Sequence, residues 1–424
     1  MKRERIALVD ANAFYCSCEI LFQPKYLGKP VVVLSNNDGC VISKTREAKR
    51  LGVKTGQPFF EIKALCKKHD VAVFSSNFSL YTNVSDRMMI VLEGMTDSLE
   101  QYSVDEAFLS LNRFKDDELY DYGKKIKSAV GQQVGLPVSV GIGPTKTLAK
   151  AANYLAKNRD ELRGVADLTC KKDQDRFLAS VPIGEIWGIG PASTRKLLGI
   201  GVRTAKQFRD YPNEWFILRL LTKVGLQTKK ELMGIACFPI EKILSRKKEI
   251  ISSRTFGRAV TSESTLRESV ASYTSLAMEK LRKQNSVCSS LSVWVRTNPF
   301  QAAPQFYGFE TEELLTGTLD TCKAIGLASK ALSQMYRPGF EYKKAGVLLS
   351  NIADKNGNQL NFFESVDTPK VETLMATMDA INAKEGPHTV KSASCGTDNE
   401  AWRMQRNFKS PRYTTSWREI PKVG

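Results

Sequence analysis

Residues 102–108 read YSVDEAF, with two adjacent carboxylates, Asp105 and Glu106, set between apolar neighbours. Val104 precedes them, and Ala107 and Phe108 follow. That is core-like company, and a buried carboxylate needs a partner such as a metal ion. In a straight strand, neighbouring side chains point to opposite faces, so the two acids cannot share one site there. They can converge at the bend of a hairpin whose arms are LEQYSV and AFLSL. A third acid, Asp10, ends the apolar run IALV at 6–9, and a sheet laying that strand beside the hairpin brings three carboxylates to one edge. Oxygen donors without histidine suit Mg2+ or Mn2+, hard ions that keep waters and bind phosphates. Two such ions about 3.5–4 Å apart activate a hydroxyl and stabilise the leaving oxygen of a phosphoryl displacement. The competing reading is an acidic turn beside a strand-capping aspartate.

Composition narrows the partner. Lys and Arg number 62 against 45 Asp and Glu, a formal net charge of +17, which favours a polyanion, most often nucleic acid. The excess concentrates in 241–300, with eleven basic residues against five acids, and in 401–424, with six against one. No apolar run approaches the ~18 residues of a membrane span, and no stretch reads as a basic amphipathic anchor. The N-terminal MKRERIALVD has four apolar residues before Asp10, too few for a signal peptide. Nine cysteines are scattered without a CxxC pair, and the histidines are two, His69 and His388. A zinc site is therefore not expected, and reduced thiols in the cytoplasm are.

A chain of 424 residues accommodates roughly two to four domains. Its first 165 residues alternate strand and helix signals, an α+β or α/β pattern with an insertion between about 20 and 75. IALV, VVVL (31–34), VAVF (71–74) and PVSVGIG (137–143) read as strands, and Asp38-Gly39 marks a hairpin turn before CVIS. Helical spacing covers 79–98 and 117–131. Strand signals vanish from about 170 to 240, where glycines punctuate short helices in WGIG (187–190) and GIGV (199–202). They return from 250 to 350 in SLSVWVR (290–296) and KAGVLLS (344–350), with one helix between them, Leu266–Gln284.

Three stretches supply further candidates. ANAFYCSCE follows Asp10, and Phe14 and Tyr15 can floor a nucleotide sugar or simply belong to the core. Lys146, Lys150, Asn153 and Lys157 fall on one helical face, with Leu148, Ala152 and Leu155 facing inward. That face either holds a triphosphate or is solvated. GIGPTK (141–146) matches no phosphate-loop pattern. IWGIGPASTRKLLGIGVRTAKQF (186–208) reads as helix, glycine turn, helix, ringed by Arg195, Lys196, Arg203 and Lys206. A glycine turn at a helix start exposes N–H groups to a phosphate without sequence readout. The basic 241–300 stretch, with RKK at 246–248, fits tracking of a duplex backbone.

The order DANAFYCSCE, NNDGCVISKTREAKRLGVK, YSVDEAF, GIGPTKTLAK, IWGIG resembles the Y-family translesion DNA polymerases, in their UmuC-type branch. MDAINAKEG (378–386) and SPRYTT (410–415) extend the resemblance to the tail. It implies an α+β multidomain right hand: a palm at 1–19 and 76–168, small fingers at 20–75, a helical thumb with a helix-hairpin-helix at 169–240, a β-rich little finger at 241–353, and a C-terminal partner-binding region at 354–424. The implied activity is template-directed, error-prone nucleotidyl transfer past lesions in SOS mutagenesis. Asp10, Asp105 and Glu106, with the Ala11 carbonyl, would hold two Mg2+ ions, replaceable by Mn2+. Phe14, Tyr15, Ser43, Arg46, Lys49 and Lys157 would contact the nucleotide, Tyr15 as a gate against ribose. Many family members carry Tyr and Arg where this chain has Arg46 and Lys49. Gly188, Ile189 and Gly190 would meet DNA. Gln359, Leu360, Phe362 and Phe363 of QLNFF resemble a motif for the sliding β-clamp. Implied partners are primer-template DNA, dNTPs, a UmuD′ dimer and RecA, in the cytoplasm on the nucleoid. Contacts in 354–424 imply that its deletion spares basal extension and removes bypass. A non-catalytic damage-binding scaffold and a palm-type nucleotide cyclase are the rival classes.

Overall fold

The computed structural model describes residues 4–241, 246–357, 369–386, 388–396, 402 and 404–420. The chain forms two compact units, Met1–Ser35 with Gly39–Leu244 and Phe408–Gly424, and Asn36–Asp38 with Ser245–Asn407.

The first unit begins with β1 (Ile6–Ala11), α1 (Phe14–Phe22), β2 (Val31–Leu34), β3 (Val41–Lys44), α2 (Arg46–Arg50), α3 (Phe59–Lys68), β4 (Ala72–Ser75) and α4 (Phe78–Glu93). It continues through β5 (Leu99–Gln101), β6 (Glu106–Ser110), α5 (Leu119–Gln133), β7 (Val138–Gly143), α6 (Lys146–Asn158) and β8 (Val165–Asp167). Four helices follow: α7 (Lys171–Phe177), α8 (Pro191–Gly199), α9 (Ala205–Arg209) and α10 (Glu214–Leu232), the last interrupted at Thr222.

Five strands make the central sheet in the order β5-β6-β1-β7-β8. β1 is buried at every position because helices cover both faces. Ala7, Val9 and Ala11 pack into the core with Leu80, Val84 and Ile126, whereas Ile6 and Leu8 meet Ala149 of α6 on the other side. The glycines of PVSVGIG make that second contact close. A Cβ on Gly141 would lie 2.1 Å from the Asn153 nitrogen and 2.3 Å from the Ala149 carbonyl oxygen. Their role is backbone approach between strand and helix, not phosphate binding. A smaller sheet, β3-β2-β4, forms from the 20–75 insertion, with the β2–β3 connection at the expected Asp38-Gly39.

The helix, glycine turn, helix expected at 186–208 is formed by α8, the turn at 199–202 and α9, and not about WGIG. Gly188 takes φ 85° and Pro191 occupies the first helical turn, so WGIG is a connector leading into α8. Of the second glycine pair, Gly199 ends α8 and Gly201 follows it, and Thr204 with Gln207 forms a capping box at α9.

The second unit holds β9 (Ile250–Val260), α11 (Glu263–Lys283), β10 (Ser286–Thr297), β11 (Tyr307–Thr318), α12 (Thr321–Met335), β12 (Tyr342–Asp354) and α13 (Pro369–Glu385). Its sheet runs β11-β10-β12-β9, antiparallel throughout. α11 starts three residues before its expected first residue, Leu266, and α12 is an additional helix. Ala324, Ala328, Ala331, Leu332 and Met335 of α12 are buried at helical spacing, and Asp320 caps it by accepting from the Cys322 N–H at 2.7 Å.

The 354–424 region is divided: α13 belongs to the second unit, and 408–420 to the first. Segment 408–420 is therefore not an appendage, and its removal would open the interior of the first unit. The QLNFF residues Gln359, Leu360, Phe362 and Phe363 lie outside the described residues. Among the described residues no helix is long and apolar enough to cross a membrane.

Candidate active site

The hairpin β5–β6 sets Asp105 at its bend and Glu106 at the start of β6, and the antiparallel register places Glu106 directly opposite Asp10. The Ala11 N–H donates to the Asp105 carbonyl at 2.9 Å, which pins the bend to the end of β1. Asp10 and Glu106 share a side-chain hydrogen bond. Burial pushes the Asp10 carboxyl up to about 7, against the charge of Lys157 and with the help of Glu106. Burial also raises Glu106, but hydrogen bonds from Asp10 and Lys150 and the charges of Lys150 and Lys157 bring it below its ordinary value. The two facing carboxyls are thus pushed apart, Asp10 upward by burial and Glu106 downward by its partners.

The lysine face of α6 lies over this edge. Lys157 reaches Asp10 at 2.5 Å and Lys150 reaches Glu106 at 2.8 Å. Lys146, 4 % exposed, pairs with Glu100 at 2.5 Å, and Asn153 donates to the Ser139 carbonyl at 2.8 Å. This face is therefore neither solvated nor wholly directed to a ligand: two of its lysines are at the site and one is buried in an ion pair. Thr145 caps α6 by accepting from the Leu148 N–H. Its hydroxyl donates to the Glu231 carbonyl, and Glu231 accepts from the Thr147 N–H, so the end of α10 fixes the start of α6.

Asp105 is less convergent than expected. Its carboxylate accepts from the Ser103 hydroxyl at 2.6 Å, and among the described residues no cluster of three metal-ligating side chains is assembled. The Asp10–Glu106 pair is met instead by the ammonium groups of Lys157 and Lys150.

A cleft of about 430 Å³ opens beside the pair. Asp10, Ala11, Phe14, Tyr15, Ser43, Arg46, Lys49, Asp105 and Lys157 all line it, so the structure brings nearly every expected nucleotide-site residue together. Arg46 bridges the cleft ends, donating to the Lys157 carbonyl at 2.9 Å and pairing with Asp160 at 3.0 Å. Sequence reasoning missed Lys44, Thr45, Thr55 and Asn158, which also line it. Thr45 was visible in principle as the cap of α2, accepting from the Ala48 N–H. Burial, and then the charge of Asp105, raise the Tyr15 phenol.

Gly188, Ile189 and Gly190 do not line the cleft, but Trp187 beside them packs at the acidic edge through Tyr102 and Lys150. Its indole N–H donates to the Tyr102 hydroxyl at 3.1 Å, and its ring packs edge-on to Tyr102 at 5.8 Å. Lys150 sits over Tyr102 at 4.4 Å and over Trp187 at 5.7 Å. The WGIG and YSVDEAF stretches thus meet around one lysine.

Family models match at residues 9–154 (impB/mucB/samB family), 247–362 (its C-terminal domain) and 372–423 (a domain of unknown function). The protein UmuC of Salmonella typhimurium is 40% identical over 98% of this chain and 99% of its own length. DNA polymerase IV of Bacillus anthracis is 26% identical over 91% of this chain and 92% of its own. A solved Y-family DNA polymerase chimera of Dbh and Dpo4 matches with TM-score 0.66 and 23% identity, covering 82% of this chain and 99% of that one. On the family model at 9–154 and an identity that runs almost end to end, this chain belongs to the impB/mucB/samB family.

Proposed function

We infer that this chain is the catalytic subunit of an error-prone translesion DNA polymerase, extending a primer by template-directed nucleotidyl transfer past damaged bases. The observation that carries the reading is the sheet edge where Asp10 faces Glu106 under Lys157 and Lys150, beside a cleft lined by Phe14, Tyr15, Arg46 and Lys49. In this reading the central sheet is a palm, the smaller sheet the fingers, 169–240 a thumb and 241–353 a little finger.

The chemistry requires holding a triphosphate against a carboxylate edge, so charge must be balanced at every stage. Lys157, Arg46 and Lys49 would take the phosphates, with Ser43 beside them. Phe14 and Tyr15 would lie under the sugar, where the Tyr15 ring leaves no room for a ribose 2′-hydroxyl. The residues fit a hard divalent cation: the donors are all oxygen, and Asp10 and Glu106 face each other across the strand pair, where burial raises the Asp10 carboxyl. Asp10, Asp105 and Glu106, with the Ala11 carbonyl, would hold Mg2+ (two ions, or Mn2+), which when bound acidifies the primer hydroxyl and neutralises the departing pyrophosphate. Gly188, Ile189 and Gly190 would approach the DNA backbone. The partners in this reading are primer-template DNA, dNTPs, a UmuD′ dimer, RecA and the sliding clamp through QLNFF, in the cytoplasm on the nucleoid.

The test is primer extension over an abasic template site with Mg2+, comparing wild type with Asp105→Asn in the presence of clamp, UmuD′ and RecA. Extension past the lesion that disappears in the variant is the expected result. Unchanged extension by Asp105→Asn overturns the site assignment. Salt-sensitive DNA binding without any wild-type extension overturns the catalytic reading in favour of a scaffold.

A further inference from the structure

The segment after residue 407 closes onto the two helices beneath the cleft. Ser75, at the end of β4, donates its N–H to the Phe408 carbonyl at 3.0 Å and accepts from the Phe408 N–H at 2.9 Å through its hydroxyl. Lys409 bridges to Ser75 in parallel register, adding a short edge to the β3-β2-β4 sheet. Asn77, which precedes α4 and is 2 % exposed, donates its amide to the Ser410 carbonyl and hydroxyl and to the Pro411 carbonyl, at 3.2, 3.0 and 3.1 Å. Tyr413 stacks flat on Phe22 of α1 at 5.0 Å, and Phe408 meets Phe59 edge-on at 5.6 Å.

One chain of contacts leads from this segment to the cleft. The Ser410 hydroxyl donates to Glu19 Oε1 at 3.0 Å, and the Tyr81 hydroxyl donates to the same oxygen at 2.6 Å. Glu19 is fully buried in α1, and its Oε2 has no hydrogen-bond partner among the described residues. Tyr81, 1 % exposed, stacks on Tyr15 with ring centroids 4.8 Å apart and planes 29° from parallel. Tyr15 lines the cleft and Tyr81 does not. A buried carboxyl with an unpaired oxygen is costly, and the two hydrogen bonds that Glu19 accepts are what offset that cost.

We propose that residues 408–413 are a strap that sets sugar discrimination: Ser410 holds Glu19, Glu19 holds Tyr81, and Tyr81 fixes the ring of Tyr15. The proposal rests on Tyr15 serving as the sugar gate. A gate excludes a 2′-hydroxyl only if its ring does not yield, and a ring stacked on an anchored neighbour yields less than one stacked on a loose neighbour. Glu19, Tyr81 and Ser410 are positioning residues, since none lines the cleft. The tail thereby acts on the accuracy of the site from within the same unit.

The test is single-nucleotide insertion on undamaged primer-template by full-length wild type, Tyr15→Ala, Tyr81→Phe, Ser410→Ala and Ser410→Thr. kcat and KM are measured for a deoxynucleotide and its ribonucleotide counterpart. Tyr15→Ala should abolish most of the discrimination. Ser410→Ala and Tyr81→Phe should each reduce it by roughly five- to tenfold, the scale of one hydrogen bond, through better ribonucleotide insertion. Ser410→Thr, which keeps the hydroxyl, should retain it. If Tyr15→Ala relaxes selectivity while Ser410→Ala and Tyr81→Phe do not, the strap is refuted and the gate stands. If Tyr15→Ala leaves selectivity intact, the gate and the strap both fall. An equal fall of kcat/KM for both sugars in Ser410→Ala also refutes the strap, because a merely structural role gives that result.

Discussion

Replacing Glu19 by glutamine should remove a defined part of the pH dependence of stability. Burial pushes the Glu19 carboxyl from its ordinary 4.5 up to about 7, only partly offset by the hydrogen bonds from Tyr81 and Ser410. The folded carboxyl keeps its proton where the unfolded one has lost it. Its contribution is therefore fully present below pH 4.5 and is lost as the pH rises through about 7. The gap between the two values corresponds to about 3 kcal/mol in full, of which about 2.5 kcal/mol falls between roughly pH 5 and pH 8. Glutamine carries no such proton, and its carbonyl oxygen can accept the same two hydrogen bonds. Asp10 also titrates near 7, so the wild-type profile alone mixes two carboxyls, and the difference between the two proteins isolates Glu19. Urea transitions of wild type and Glu19→Gln at roughly pH 5 and pH 8 measure it, and the variant should gain about 2.5 kcal/mol on wild type over that range. Parallel profiles, differing by a constant, would show that Glu19 is ionised in the folded protein and refute the reasoning.

Two further outcomes follow from α6. Lys146→Met leaves Glu100 buried without its cation and should cost about 3–5 kcal/mol in urea denaturation, part of which returns when Glu100→Leu is added; recovery will be incomplete because the Glu241 N–H also donates to Glu100. Gly141→Ala would place a methyl 2.1 Å from the Asn153 nitrogen, so α6 must move and carry Lys150 and Lys157 off Glu106 and Asp10. Its expected signature is a stability loss of about 1–3 kcal/mol or more together with loss of primer extension, and wild-type extension by a soluble variant would contradict it.

The parts of the fold that were legible share one property: the signal is local. IALV, VVVL and PVSVGIG are short buried runs bounded by turn residues, and all three are strands. YSVDEAF was readable because adjacent acids in apolar company are compatible with one site only at a bend, and β5–β6 is that hairpin. α12 was missed because its small buried residues, alanine above all, give a weak apolar stripe beside the strong β runs around it. The start of α8 is marked by Gly188 at positive φ and by Pro191 after it, and WGIG itself is a connector.

For the site, the sequence by itself determined which residues share an element. The 3.6-residue period puts Lys146, Lys150, Asn153 and Lys157 on one face of α6, and Asp10 at the end of β1 follows from its apolar run. Periodicity says nothing about what lies across from that face. Only the tertiary structure decided that Glu100, Glu106 and Asp10 lie there, because each pairing depends on sheet register between segments far apart in the chain. The same holds for Glu19. Its hydrogen bonds in the folded chain include one from a serine 391 residues away. A helix period reports one element's own faces, whereas the charge that buries stably on a face is set by whatever the fold packs against it.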